Sequence, residues 1–164
     1  MENRLIKLQI ALMREIDKYG EKITERYVPA DWEKLHMASS ARLAYMMALE
    51  RGVDPELAAC ACAVHDFGRI VTGKQPGHAE AGYEPVKDFL KKLGDMFTPE
   101  EQEIIALATK NHSKKSVVGT LYEEIVKDAD VVDCYQYGIP FEREEQKKRY
   151  EEWLKRVTGS SGAE

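Results

Sequence analysis

Residues 54–69 read DPELAACACAVHDFGR. Asp54 followed by Pro55 is a helix start. The aspartate can cap the first free amides, and proline at the first helical position lacks only an amide that would have no partner. Small apolar residues then run from Ala58 to Val64. They suit a helix packed tightly in the centre of a bundle. The run ends abruptly in His65-Asp66, two ionisable side chains at the end of a segment built for burial. The pattern predicts a central helix whose unwound end delivers two polar groups from consecutive residues.

The same helical punctuation recurs outward from this segment. Leu5, Leu8, Leu12 and Ile16, three and four residues apart, predict a helix over 2–19 ended by Gly20. A second helix should run from Trp32 to Arg51, capped by Asp31 and stopped by Gly52. The stretch FGRIVTGKQPG, residues 67–77, carries glycines and a proline and reads as a loop. Further helices are expected over 78–93, from Thr98-Pro99 to about His112, over 120–136 and over 142–157. No segment alternates like a strand. The expected fold is all-α: a single-domain bundle of about seven helices over residues 1–157, with 158–164 as a flexible tail.

Composition narrows the function classes. The 164 residues are 43% hydrophobic and 32% charged, which fits a globular domain rather than a disordered chain. The net charge is −5, and the longest basic run is Lys147-Lys148-Arg149, so no nucleic-acid footprint is visible. No long uncharged apolar window suggests a membrane span, and the charged start lacks the pattern of a secretory signal. A cytoplasmic protein is expected. Its three cysteines argue against a disulfide framework. Cys60 and Cys62 lie roughly 200° apart on a helix and cannot share one ion, so they read as small buried apolar residues.

Four histidines and one aspartate fall on or beside apolar stripes. His112 follows Ile104, Ile105 and Ala108 at helical spacing, and His65 follows Ala58, Ala61 and Cys62. His36 borders the stripe of Ser40, Leu43 and Met47, and His78 opens a helix just after the segment leaving Asp66. Asp130 lies between Val126 and Cys134, one turn each way. Taken singly, each histidine reads as a satisfied core residue, and Asp130 as a cap or the partner of an arginine. Asp128 and Asp133 read as surface groups or as supports behind a site. As a set, inward imidazoles and carboxylates suit a hard-to-borderline divalent cation.

The order H … HD … H … H … D, here His36, His65-Asp66, His78, His112 and Asp130, resembles the HD-domain superfamily of metal-dependent phosphohydrolases, an all-α fold. The resemblance covers residues ~30–137. HDFGRI resembles the family's HD-φ-G-[KR]-φ, HAEAGYEPV its H-x-x-x-G-x-x-φ segment, and KDADVVD its closing aspartate segment. It implies metal ligation by His36, His65, Asp66 and Asp130, with His78 and His112 as the extra ligands of two-metal members. Asp66 would then bridge the ions. The implied cofactor is a pair of divalent ions: iron first, with manganese, nickel, zinc, cobalt or magnesium as alternatives.

The GYP motif and the paired histidine of the cyclic-dinucleotide branch are absent after His112, so that substrate is not implied. The resemblance is closer to small stand-alone members that cleave a phosphate ester or anhydride of a nucleotide or dinucleoside polyphosphate through a metal-activated hydroxide. Asp66 and Arg69 would be the catalytic residues, and Arg69, Lys74, Lys114 and Lys115 the substrate contacts. The plainer readings are a structural ion pair for Arg69 and solvated surface charge for the lysines. A small phosphorylated partner is expected, with neither nucleic acid nor membrane, and with room for a homodimer. Two alternatives stay open: a di-iron oxygenase of the same fold acting on a small polar substrate, and a non-catalytic nucleotide-binding domain.

Overall fold

The computed structural model describes residues 3–159. In chain order its helices are α1 (Arg4–Lys22), α2 (Ala30–Arg51), α3 (Pro55–Ala63), α4 (Phe67–Thr72), α5 (His78–Ala81), α6 (Tyr83–Lys92), α7 (Pro99–Asn111), α8 (Leu121–Gln136) and α9 (Glu144–Thr158). Among the described residues there is no strand. Seven of the helices are nine residues or longer, and α4 and α5, with six and four residues, are short inserts between them.

The helix starts follow the local chemistry. The Asp54 side chain accepts hydrogen bonds from the Glu56 and Leu57 amides at the head of α3. Thr98 and Glu101 form a reciprocal capping box at the head of α7. Leu57 to Ala63 is buried on every side, as the run of small residues requires, and α3 packs against α1, α2, α7 and α8. Leu8, Leu12 and Ile16 of α1 are fully buried against the same core, each contributing about 2 kcal/mol. Cys60 and Cys62 are buried there without a disulfide.

Five boundaries differ from the sequence reading, the first being that α1 runs through Gly20 and ends at Lys22, capped by the Ile23 amide on the Tyr19 carbonyl. The expected loop at 67–77 begins instead with α4. Phe67 and Ile70 are buried, Phe67 stacks on Phe89 at 5.1 Å, and the Ile70 amide donates to the Asp66 carbonyl. Gly73, with φ 72°, ends that helix, so one of the glycines taken as a loop signal is a helix stop. The helix expected over 78–93 is broken at Gly82 into α5 and α6. The start of α2 follows Pro29, and Asp31 lies in its first turn rather than at its cap. Thr158, assigned to the tail, is the last residue of α9. Residues 160–164 of that tail, and Glu2 at the start of the expected first helix, lie outside the described residues. Among the described residues no helix is long and apolar enough to cross a membrane.

Candidate metal centre

The polar groups singled out in the sequence converge where α2, the α3–α4 junction, α5, α7 and α8 meet. His36 comes from α2, His65 and Asp66 from the turn between α3 and α4, His78 from α5, His112 from the end of α7 and Asp130 from α8. The four histidines and Asp66 are buried. His36 Nε2 lies 3.2 Å from His65 Nε2, and His78 Nε2 lies 2.9 Å from His112 Nε2.

Asp66 stands between the two pairs. Its Oδ2 is 3.5 Å from His36 Nε2 and 3.2 Å from His65 Nε2, and its Oδ1 is 3.1 Å from His78 Nε2 and 3.5 Å from His112 Nε2. Asp130 Oδ1 completes the first group, 3.2 Å from His36 Nε2 and 3.6 Å from His65 Nε2. Donor sets able to hold an ion include His36–His65–Asp66 and Asp66–His78–His112.

The other ring nitrogen of every histidine is tied to an acceptor. Nδ1 of His65, His78 and His112 donates to the carbonyls of Cys62, Gln75 and Thr109 at 2.6, 2.7 and 2.7 Å. His36 Nδ1 donates to Asp133 Oδ2 at 2.7 Å. In the neutral rings the proton therefore sits on Nδ1, and four Nε2 lone pairs face one another and two carboxylates. That arrangement repels itself unless cations or protons fill it, and it is the tautomer a metal-ligating histidine needs. The donor set fits divalent cations.

Electrostatics point the same way. Burial opposes ionisation of Asp66, but Arg69 and His65 outweigh it and hold the carboxyl well below the usual range. Burial likewise opposes Asp130, and Lys115 and His36 outweigh it. Burial lowers the His112 pKa to about 4, with Asp66 offsetting only part of the effect, so that ring is neutral at pH 7. Burial also disfavours the charged forms of His36 and His65. Carboxylates reverse the sign there, Asp130 and Asp133 for His36 and chiefly Asp66 for His65.

The expected substrate contacts occupy different positions. Arg69 is buried, with Nε and Nη2 on the two oxygens of Glu33 at 2.9 and 3.0 Å and Nη2 also on Asp66 Oδ2. Lys115 is buried, 2.5 Å from Asp130 Oδ2. Both line a cavity of about 160 Å³ that reaches Asp66, His78, His112 and Asp130. Lys74 is exposed and Lys114 pairs with Glu80 at 3.4 Å; neither lines that cavity. The outer wall is built by Tyr27, Trp32, Ile139, Phe141 and Arg143.

Two supporting residues were not foreseen as such. Glu33 is a fully buried carboxylate one turn before His36 on α2, a spacing that could have marked it. Trp32 stacks on the His36 ring at 5.3 Å. Asp133, read as a surface or supporting group, supports His36 from behind, and Asp128 instead joins Arg51 and Arg149.

Comparison with known proteins adds three findings. Residues 35–134 match the HD domain family. Ribonuclease Y of Opitutus terrae is 32% identical over 104 residues, 63% of this chain but only 18% of that protein. The chain thus spans about a fifth of that relative. The crystal structure of a predicted HD superfamily hydrolase from an uncultured Thermotogales bacterium superposes with a TM-score of 0.58 at 20% identity. The match covers 95% of this chain and 92% of the other, and shows a shared fold.

Proposed function

The chain belongs to the HD-domain family, which points to metal-dependent hydrolase chemistry in general, and on that premise we propose a two-metal phosphohydrolase acting on a nucleotide or dinucleoside polyphosphate. The observation that carries the reading is the division of Asp66, with Oδ2 toward His36 and His65 and Oδ1 toward His78 and His112. His36, His65 and Asp130 would hold one cation, His78 and His112 the other, with Asp66 bridging. A bound pair of divalent cations, iron foremost, would supply positive charge to the phosphoryl group and acidify a water so that it attacks at neutral pH.

The remaining work falls to the chain's own side chains. Arg69, clamped by Glu33, fixes the orientation of Asp66 and leaves a cationic edge on the cavity. Lys115 holds Asp130 Oδ2, leaving Oδ1 turned to the histidines, and offers its charge to a phosphate oxygen. The aromatic wall of Tyr27, Trp32 and Phe141 gives a nucleobase a surface to lie on. This reading takes the substrate as a small molecule met in the cytoplasm.

The test is phosphate release with Mn(II)- or Fe(II)-loaded protein from nucleoside phosphates and dinucleoside polyphosphates. A short RNA is included because of the likeness to ribonuclease Y. Metal-dependent release that Asp66→Ala abolishes supports the reading. An unchanged rate in that variant, or oxygen uptake by the iron-loaded protein without phosphate release, contradicts it.

A further inference from the structure

The candidate ligands differ in what holds them in place. His36 and Asp130 ride on helices of 22 and 16 residues, and His65-Asp66 follow the central α3. His78 rides on α5, a helix of four residues. A single turn has too little stability of its own to fix a side chain. The seat beneath it must do so.

That seat is two glycines in contact. A Cβ on Gly68 would overlap the His78 carbonyl oxygen outright and lie 2.6 Å from the Gly82 amide nitrogen. A Cβ on Gly82 would lie 2.9 Å from the Gly68 nitrogen and 2.8 Å from Thr109 Cγ2. Neither position needs glycine for its backbone: Gly68 has no positive φ, and Gly82 sits at φ −81°, ψ −18°, open to any residue. Both need it for space, because backbone meets backbone there. The Gly82 amide donates to the His78 carbonyl at 3.0 Å. Thr109, against Gly82, gives its carbonyl to His112 Nδ1. One contact thus joins α4 beside Asp66, α5 with His78, and the last turn before His112.

We infer that the Gly68–Gly82 contact is the positioning device of the second cation, setting His78 against Asp66 and His112, so that these glycines decide whether the chain holds two ions or one. The inference rests on the two-cation reading above. The atoms nearest either Cβ belong to His78, Thr109, Ala79 and the glycines themselves and not to His36, His65 or Asp130, while Asp66, shared by both groups, caps α4 two residues before Gly68. A failure of positioning therefore removes one ion, whereas a general loss of structure removes both.

The test loads the wild-type chain, Gly68→Ala and Gly82→Ala with Mn(II) and reads ions per folded chain by elemental analysis. Paramagnetic resonance distinguishes a coupled Mn(II) pair from an isolated ion. The wild-type stoichiometry tests the two-cation reading by itself; one ion there removes that reading and this inference with it. With two in the wild type, Gly68→Ala is expected to hold one, with the spectrum of an isolated ion. Two ions in folded Gly68→Ala, or none, overturn the inference. If Gly68→Ala does not fold, Gly82→Ala decides. Its contacts are milder, and the dissociation constant of its second ion should rise about tenfold or more, the size of effect seen when a support behind a ligand is lost. The first ion should be unchanged, and Thr109→Ser, which removes the clashing methyl, should recover part of the loss. Equal or absent shifts at both sites overturn the inference.

Discussion

His78 Nε2 faces His112 Nε2 at 2.9 Å, and in the neutral rings neither nitrogen carries a proton, because each Nδ1 donates to a backbone carbonyl. Two lone pairs at that distance need a metal cation or a proton between or beside them, and the carboxylates around them suit the metal. His112→Ala should therefore remove one ion and leave the other, with the His36–His65 group intact. Elemental analysis and calorimetric titration with Mn(II) check this. Loss of both ions, or of neither, would show that the two groups do not bind separately.

Metal binding should weaken as the pH falls. Burial opposes protonation of His36 and His65, but Asp130, Asp133 and Asp66 outweigh it and raise both pKa values above the usual 6.5. In the metal-free chain these raised values stabilise the fold at low pH, and that contribution is lost as the pH rises through them. A bound cation replaces the protons, so added metal should raise Tm more at pH 8 than at pH 6. Thermal melts with and without Mn(II) at both pH values check the sign.

Glu33 and Arg69 form a buried, doubly bonded ion pair. Glu33→Ala leaves a buried guanidinium with Asp66 and Gln75 alone. The expected loss is about 3 kcal/mol in chelator-treated protein, since breaking one side of a buried pair strands the other charge. Tm should fall by roughly 10 °C for a chain of this size. A shift within error would mean that the pair is not formed in solution.

Arg4 ties three helix starts together. It lies 2.8 Å from Glu56, 2.7 Å from Glu101 and 3.3 Å from Asp54. Burial raises the pKa of Glu56 and of Glu101, but their bonds to Arg4 outweigh it and lower both below the usual 4.5. Lowered carboxylates stabilise the fold above the ordinary glutamate range, and the contribution is lost as the pH falls through the lowered values. Arg4→Met should cost about 1 kcal/mol at pH 7. The difference from wild type should shrink as the pH falls below about 4. Urea melts at pH 7 and pH 3.5 measure it.

The helices were legible because their punctuation is local. Asp54-Pro55 and Thr98-Pro99 mark starts by satisfying amides next to them, and both stand where expected. The ligand candidates were legible because a buried imidazole on an apolar stripe is costly without a partner. What escaped depends on the tertiary fold. Gly73 reads as a loop signal until Phe67 and Ile70 are seen buried before it, which makes it a helix stop. Gly82 stands at the break between α5 and α6 with no room for a Cβ beside Gly68 and Thr109, a close approach between distant segments that no local pattern announces. Arg69 offered a phosphate contact and a structural pair equally well, and only the position of Glu33 on α2 engages it as a pair.

The central claim is that Asp66 serves two cations at once, and metal content tests it most directly. After loading with Mn(II) or Fe(II) and removal of free metal, the wild-type chain should hold two ions. Asp66→Ala, folded by circular dichroism, should hold fewer than one, because each group loses the oxygen turned toward it. One ion or none in the wild type, or two retained in Asp66→Ala, would contradict the account.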